Sequence, residues 1–206
     1  APLVSSSYRT SQAPQASSSY RMVPPKPYAA SSEQEEKDSF FYMRRYHNIE
    51  KLNLIMLYCK NKRVLDLGSG FGGDLQKYHD AGVTRLFLVE PSRENRESAE
   101  GLLDRLGNMR YLKSISTVIP AVGQETQKIV KAMTPASETD PSRVEVVASF
   151  FSMTFLFESL DTLREFLRTV HASLKEGGYF IGTMMDGDKS HEAFKGKAEI
   201  KYGKAE

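Results

Sequence analysis

The chain reads as an α/β domain of Rossmann-like type, a mostly parallel sheet with helices on both faces. Three observations predict it. From residue 63 onward, short apolar runs alternate with helical patterns. The first run, beginning at Arg63, passes straight into a glycine-rich loop that opens a helix. The second, Leu86-Phe87-Leu88-Val89, ends in an acid, Glu90, roughly 20 residues past that loop, at the ligand-binding edge of such a sheet.

Residues 1 to about 38 are rich in Ser, Pro, Gln and Ala, and Ser-Ser-Ser-Tyr-Arg occurs at 5–9 and again at 17–21. Too little apolar surface is present to offset the entropy of ordering them, so residues 1–38 are expected to be a disordered or linker segment and 39–206 the folded domain. A lead of this kind points to a larger parent protein. Ser32 and Glu35 make a capping box for a long helix whose apolar residues include Phe41, Met43, Leu52, Ile55 and Met56. After the strand at Arg63, a helix from Asp74 to Ala81 is closed by Gly82, and a helix from Arg93 to Leu106 is capped by Ser92 and ended by Gly107. A third strand is expected near Arg110–Leu112, a helix near Gln124–Met133, a polar loop at 135–142 and a fourth strand over Val144–Phe150. Leu163, Phe166, Leu167, Val170 and Leu174 recur at helical spacing behind Ser159 as cap, and Gly177-Gly178 stop that helix before a fifth strand, Tyr179–Thr183. Residues 198–202 have the pattern to start one strand of a closing hairpin, so the C-terminal hairpin is expected to be cut short.

With 206 residues and 40% hydrophobic content, one well-buried core is expected. A formal net charge of +2 leaves any nucleic-acid binding to local patches, such as Arg44, Arg45 and Lys51, or Lys60, Lys62 and Arg63, or the lysines at 189, 195, 197, 201 and 204. Each patch also fits ordinary solvated surface. One cysteine, Cys59, excludes an intramolecular disulfide, and the four histidines lack a ligand spacing, so no metal centre is expected. No apolar run approaches a membrane span, and no secretory leader pattern follows Ala1.

Four glycines fall within six residues in Gly68-Ser69-Gly70-Phe71-Gly72-Gly73, ahead of Asp74. They let a bulky ligand lie against bare backbone, and a loop of this kind aims amide N–H groups and the positive helix end at an anion. Turn geometry alone does not require so many. Gly68, Gly70 and Gly73 satisfy G-x-G-x-x-G, which admits a nicotinamide or flavin cofactor as well as S-adenosylmethionine. Asp66, two residues before the first glycine, resembles the acid that Rossmann-type methyltransferases carry there. Glu90 suits ribose hydroxyls, its plain alternative being a solvated strand end.

Tyr46-His47-Asn48-Ile49-Glu50-Lys51, the Gly-Gly-Asp-Leu loop at 72–75 and Gly177-Gly178-Tyr179-Phe180-Ile181-Gly182-Thr183 together resemble messenger-RNA cap guanine-N7 methyltransferases over residues 40–190. The run Met184-Met185-Asp186-Gly187-Asp188-Lys189 looks most like the poxvirus-type capping enzymes of large cytoplasmic DNA viruses. The resemblance implies a class I S-adenosylmethionine methyltransferase acting on the 5′ cap, GpppN, of RNA. It implies that Lys51 pairs with the methionine carboxylate, that Asp66, Gly68, Ser69, Gly70, Asp74 and Phe150 line the cofactor, and that Glu90 holds the ribose. Phe151 matches the aromatic bordering the transfer site, Asn48, Thr154 and Phe155 fall where the family approaches the cap, and Glu158 follows as a helix-start acid. Phe71 stands where cellular members have lysine, Phe150 where they have glutamine, and Thr154 where they usually have the histidine facing guanine. No acid follows the expected third strand to read the adenine amino group, and Ser114, Ser116 and Gln124-Glu125 remain open for that role. The resemblance further implies a larger capping enzyme with triphosphatase and guanylyltransferase domains, a stimulatory subunit, and a cytoplasmic factory or virion location if viral, nuclear if cellular.

The sulfonium methyl is already activated and guanine N7 has a free lone pair, so in-line displacement removes no proton and no catalytic general base is expected. Two other readings compete: an S-adenosylmethionine enzyme for a small molecule or protein, and a catalytically silent methyltransferase-like subunit. The intact glycine loop and Glu90 argue against silence.

Overall fold

Apolar runs too short for helices form the strands β1 (Arg63–Leu67), β2 (Arg85–Val89), β3 (Ser116–Ile119), β4 (Val144–Phe150) and β5 (Leu174–Thr183) in a computed structural model that describes residues 41–134 and 143–195. All pairings are parallel, in the order β3-β2-β1-β4-β5. Parallel neighbours need crossovers, which is why helices separate the strands. They are α1 (Phe41–Tyr58), α2 (Leu75–Asp80), α3 (Arg93–Glu97), α4 (Leu102–Gly107), α5 (Arg110–Ile115), α6 (Thr126–Met133), α7 (Leu160–Ser173) and α8 (Gly187–Phe194), with a 3₁₀ turn, η1 (Met153–Glu158), after β4.

Side-chain alternation along the strands divides the core into two layers. Val64, Leu86, Leu88, Val146 and Ala148 face Ile55, Tyr78, Leu102, Leu106 and Leu112 on one side. Leu65, Leu67, Phe87, Val89 and Val147 face Ile129, Met133, Phe166 and Val170 on the other. Burying both faces of β1, β2 and β4 requires the near-continuous apolar runs seen in the sequence. Strand β5, at the sheet edge, is mostly exposed.

Three expectations are corrected. Residues 110–112 are helical, because Met109, Leu112 and Ile115 recur every third residue and put Leu112 in the core, while the strand is the β-branched run that follows. The helix expected over 93–106 is two helices. Its break lies at Glu100, with φ +62, and Gly101, where a Cβ would stand 2.8 Å from the Ser98 carbonyl oxygen. Helix α7 ends at Ser173, and the chain is already extended before Gly177-Gly178, with an irregular register between Val144 and Val146. Of the apolar residues of α1, Met43 and Met56 are exposed and Ile55 is buried, with Cys59 buried just past the helix end. The linker segment, the Ser32–Glu35 capping box, the loop at 135–142 and the strand at 198–202 lie outside the described residues. Among the described residues no helix is long and apolar enough to cross a membrane.

Candidate cofactor and acceptor site

Strand order reverses between β1 and β4, and the carboxyl ends of the two strands open a crevice there, the position where open α/β sheets bind ligands. The loop after β1 packs against the turn after β4. The Ser152 hydroxyl donates to the Leu67 carbonyl at 2.6 Å and shares a 2.6 Å hydrogen bond with Ser149, while a Cβ on Gly68 would lie 2.3 Å from the Ser152 Cβ. Only glycine permits that approach with φ +91. Gly70, at φ +53, has no neighbour within 4 Å of its would-be Cβ, because its open side is the crevice.

The resulting cleft encloses about 380 Å³, within the range of small-ligand sites. Leu67, Gly68 and Gly70 line it from β1, Glu90, Pro91 and Asn95 from the end of β2, and Val122, Gly123 and Gln124 from the segment after β3. Phe150, Phe151, Ser152, Phe155, Leu156 and Phe166 complete it.

Glu90 is not a solvated strand end: its residue is 5% exposed, and its carboxylate accepts from the Gly70 amide at 2.8 Å, the Ser92 amide at 2.9 Å and Asn95 Nδ2 at 3.1 Å. It therefore ties the glycine loop to the start of α3 while one flank borders the cleft. Four of the loop amides are turned away from the anion that the sequence implied. Gly68 and Ser69 N–H both donate to the Val89 carbonyl, Gly70 N–H to Glu90 and Gly72 N–H to the Ser69 carbonyl.

Asp66 points to the α1/α2 side of β1 and is 4% exposed. Burial, followed by the charge of Asp74, pushes its carboxyl from the ordinary 3.8 up to about 7, with Ser69, Lys51 and Tyr78 pulling the other way. Burial, aided by the charge of Asp66, also pushes the Cys59 thiol up to about 12, so Cys59 is an inert packing residue. Ahead of α2, Asp74 joins two lysines: Lys51 Nζ lies 2.8 Å from Oδ2 and Lys77 Nζ 2.7 Å from Oδ1. Lys51 also sits over the rings of Phe150 and Phe151, at 5.9 and 5.8 Å. Phe151 has φ +61, an unusual backbone for an aromatic, held by its amide donating to the Thr183 carbonyl at 2.8 Å and by His47, whose ring lies 4.5 Å away.

The structure thus brings Gly68, Gly70, Glu90, Phe150, Phe151 and Phe155 to one cleft. Lys51, Asp66, Ser69 and Asp74 surround its loop, Ser69 through a hydroxyl that donates to the Asp66 carbonyl. Thr154 and Glu158 are exposed on η1 outside the lining, and Asn48 is an exposed residue whose Oδ1 accepts from Lys77 at 3.1 Å. Of the open alternatives for reading adenine, Gln124 reaches the cleft. Glu125 instead accepts from the Val122 amide and pairs with Lys128, Ser114 belongs to α5, and Ser116 begins β3 at the end remote from the cleft. Sequence reasoning missed Asn95, Val122, Gly123, Ser152 and Lys77. The first three follow from the rule that ligands meet the carboxyl ends of strands, once β3 is placed at 116–119.

A family model described as the mRNA (guanine-N(7))-methyltransferase domain matches residues 22–204. An mRNA cap guanine-N(7) methyltransferase of Saccharomyces cerevisiae is 29% identical over 150 residues, covering 71% of this chain and 33% of that protein. A protein of Acanthamoeba polyphaga mimivirus named a probable mRNA-capping enzyme is 24% identical over 180 residues, covering 77% of this chain and 15% of its own length. The chain thus spans a third or less of these two relatives. Among solved structures, the N-methyltransferase NodS from Bradyrhizobium japonicum WM9 has a TM-score of 0.53 at 12% identity over 75% of each chain, a shared fold. With nearly its whole length matched by that one family model, this chain belongs to the mRNA (guanine-N(7))-methyltransferase domain family.

Proposed function

We propose that the chain transfers the methyl group of S-adenosylmethionine to N7 of the guanine in a GpppN RNA cap. What carries this, in a member of this family, is the joining in one cleft of a glycine loop whose first three amides are held by protein acceptors and an outward aromatic rim. A dinucleotide would need the loop amides for its pyrophosphate, and those of Gly68, Ser69, Gly70 and Gly72 are already taken by protein acceptors. S-adenosylmethionine has no phosphate and asks only for close approach to the backbone, a carboxylate for its ribose and a cation for its own carboxylate. The rim suits a purine: Phe155, 80% exposed, and Phe151 both line the cleft.

In this reading Glu90 accepts from the ribose hydroxyls, Lys51 pairs with the methionine carboxylate, and Val122, Gly123 and Gln124 bound the adenine. Phe151 and Phe155 hold the guanine plane so that N7 faces the methyl group. The methyl donor supplies the activated carbon, and N7 carries no proton, so the side chains align and desolvate and no base is used. The similarity to a mimivirus protein named a probable mRNA-capping enzyme, of which this chain spans 15%, supports reading the domain as part of a larger capping protein; in this reading triphosphatase and guanylyltransferase domains elsewhere in that protein would supply the capped end.

The test is transfer of labelled methyl to GpppA-capped RNA, followed by nuclease digestion to locate the label. Release of labelled 7-methylguanosine cap is expected. Label elsewhere in the RNA, or transfer only to small molecules or proteins, refutes the assignment.

A further inference from the structure

Asp74 is bridged by two lysines that are held very differently. Lys77 Nζ has three acceptors, Asp74 Oδ1 at 2.7 Å, Asn48 Oδ1 at 3.1 Å and the Gly73 carbonyl at 3.4 Å, and its side chain is 13% exposed. An ammonium has three N–H donors, so Lys77 is fully committed. Lys51, 18% exposed, makes one hydrogen bond among the described residues, to Asp74 Oδ2, and otherwise rests on aromatic faces. Lys51 is the cation able to change partner.

A change of partner has a consequence for Asp74, whose side chain is 13% exposed. If Lys51 were its only cation, turning Lys51 toward a ligand would strand a poorly hydrated carboxylate close to buried Asp66, an unfavourable exchange. Lys77 removes that obstacle because it stays on Asp74 when Lys51 leaves. We infer that Lys77 is a positioning residue of the methyl-donor site: with Asn48 it pins Asp74 as a parking place from which Lys51 is handed to the ligand carboxylate. This rests on the reading that Lys51 pairs with that carboxylate.

The test uses the full chain and two ligands in calorimetry, S-adenosylhomocysteine, which has the amino-acid carboxylate, and 5′-methylthioadenosine, which lacks it. Lys51→Met examines the underlying reading alone and is expected to weaken only the first ligand. Lys77→Met is expected to weaken S-adenosylhomocysteine about tenfold or more while leaving methylthioadenosine within about twofold, and Lys77→Arg to restore binding. In a Lys51→Met background, Lys77→Met should add little further, since the exchange it assists is gone. Lys77→Gln, with thermal melts of every variant, separates lost charge from lost packing. If Lys51→Met is selective but Lys77→Met weakens both ligands equally or neither, Lys77 is only a packing residue and the inference falls. If Lys51→Met is itself unselective, the carboxylate assignment fails and takes the inference with it.

Discussion

Removing the Glu90 carboxylate should harm both the fold and the site, because its oxygens hold the glycine loop and the start of α3 and, in the proposed reading, the ribose. In Glu90→Ala the Gly70 amide, the Ser92 amide and Asn95 Nδ2 lose an ionised acceptor at 2.8, 2.9 and 3.1 Å. Hydrogen bonds to charged groups contribute about 1.5–3 kcal/mol each, but Gly70 and Asn95 border the cleft and regain water. Charging the full loss only for the Ser92 amide and a fraction for the others gives about 2–4 kcal/mol of destabilisation. For a domain of this size that lowers the melting temperature by roughly 5–15 °C. Methyl-donor affinity should fall as well, by about 1–3 kcal/mol for the ribose contact. The assay is thermal unfolding by circular dichroism, with calorimetric titration of S-adenosylhomocysteine below the transition. A melting temperature unchanged within about 1 °C would show that the glycine loop keeps its shape without this staple, and an unchanged dissociation constant would remove Glu90 from the ribose.

Gly70→Val should abolish donor binding while leaving the core intact, since its side chain would project into the cleft from a backbone at φ +53; a variant that still binds S-adenosylhomocysteine in calorimetry contradicts the placement. Phe155→Ala, at a residue 80% exposed, should leave unfolding unchanged and raise the KM for capped RNA about tenfold with donor affinity intact; steady-state kinetics in which only donor binding moves would displace the guanine pocket. Asp66 gives a pH test: its carboxyl, at about 7 in the fold against an ordinary 3.8, keeps a proton that the unfolded chain loses, so its contribution to stability declines as pH rises between those values. Asp66→Asn should therefore gain melting temperature relative to the parent from about pH 4 to about pH 8, and a difference that stays constant across that range would show Asp66 to be ionised throughout.

Local pattern was enough wherever one residue type has one physical use. The β1 run, the glycines after it, the acid at the end of β2 and the amphipathic α7 follow from backbone freedom, burial and helical period, and these placed both the fold class and the cofactor edge. Pattern failed where two periods compete over a few residues. Met109 to Ile119 offers a three-residue spacing followed by a β-branched run, and only packing Leu112 into the core decides where helix ends and strand begins. With β3 expected at 110–112, Val122 and Gly123 have no place in the sequence pattern, and Gln124 stands there only as one of several open alternatives.

What the sequence alone determined is therefore the inventory: a parallel α/β sheet, a close-approach loop, an acid at the right strand end and aromatics after β4. What only the tertiary structure decided is what those groups do to one another. The Val89 carbonyl and the Glu90 carboxylate just after β2 accept from three amides of the glycine loop that the sequence aimed at an anion. Two helices bring Lys51 and Lys77 onto one carboxylate, and the β4 turn strains Phe151 against His47. Apart from Lys77 and Asp74, three positions apart, these couplings join residues separated by 20 or more positions, as Gly70 and Glu90 are. Their energies depend on distance and desolvation, which sequence spacing does not encode.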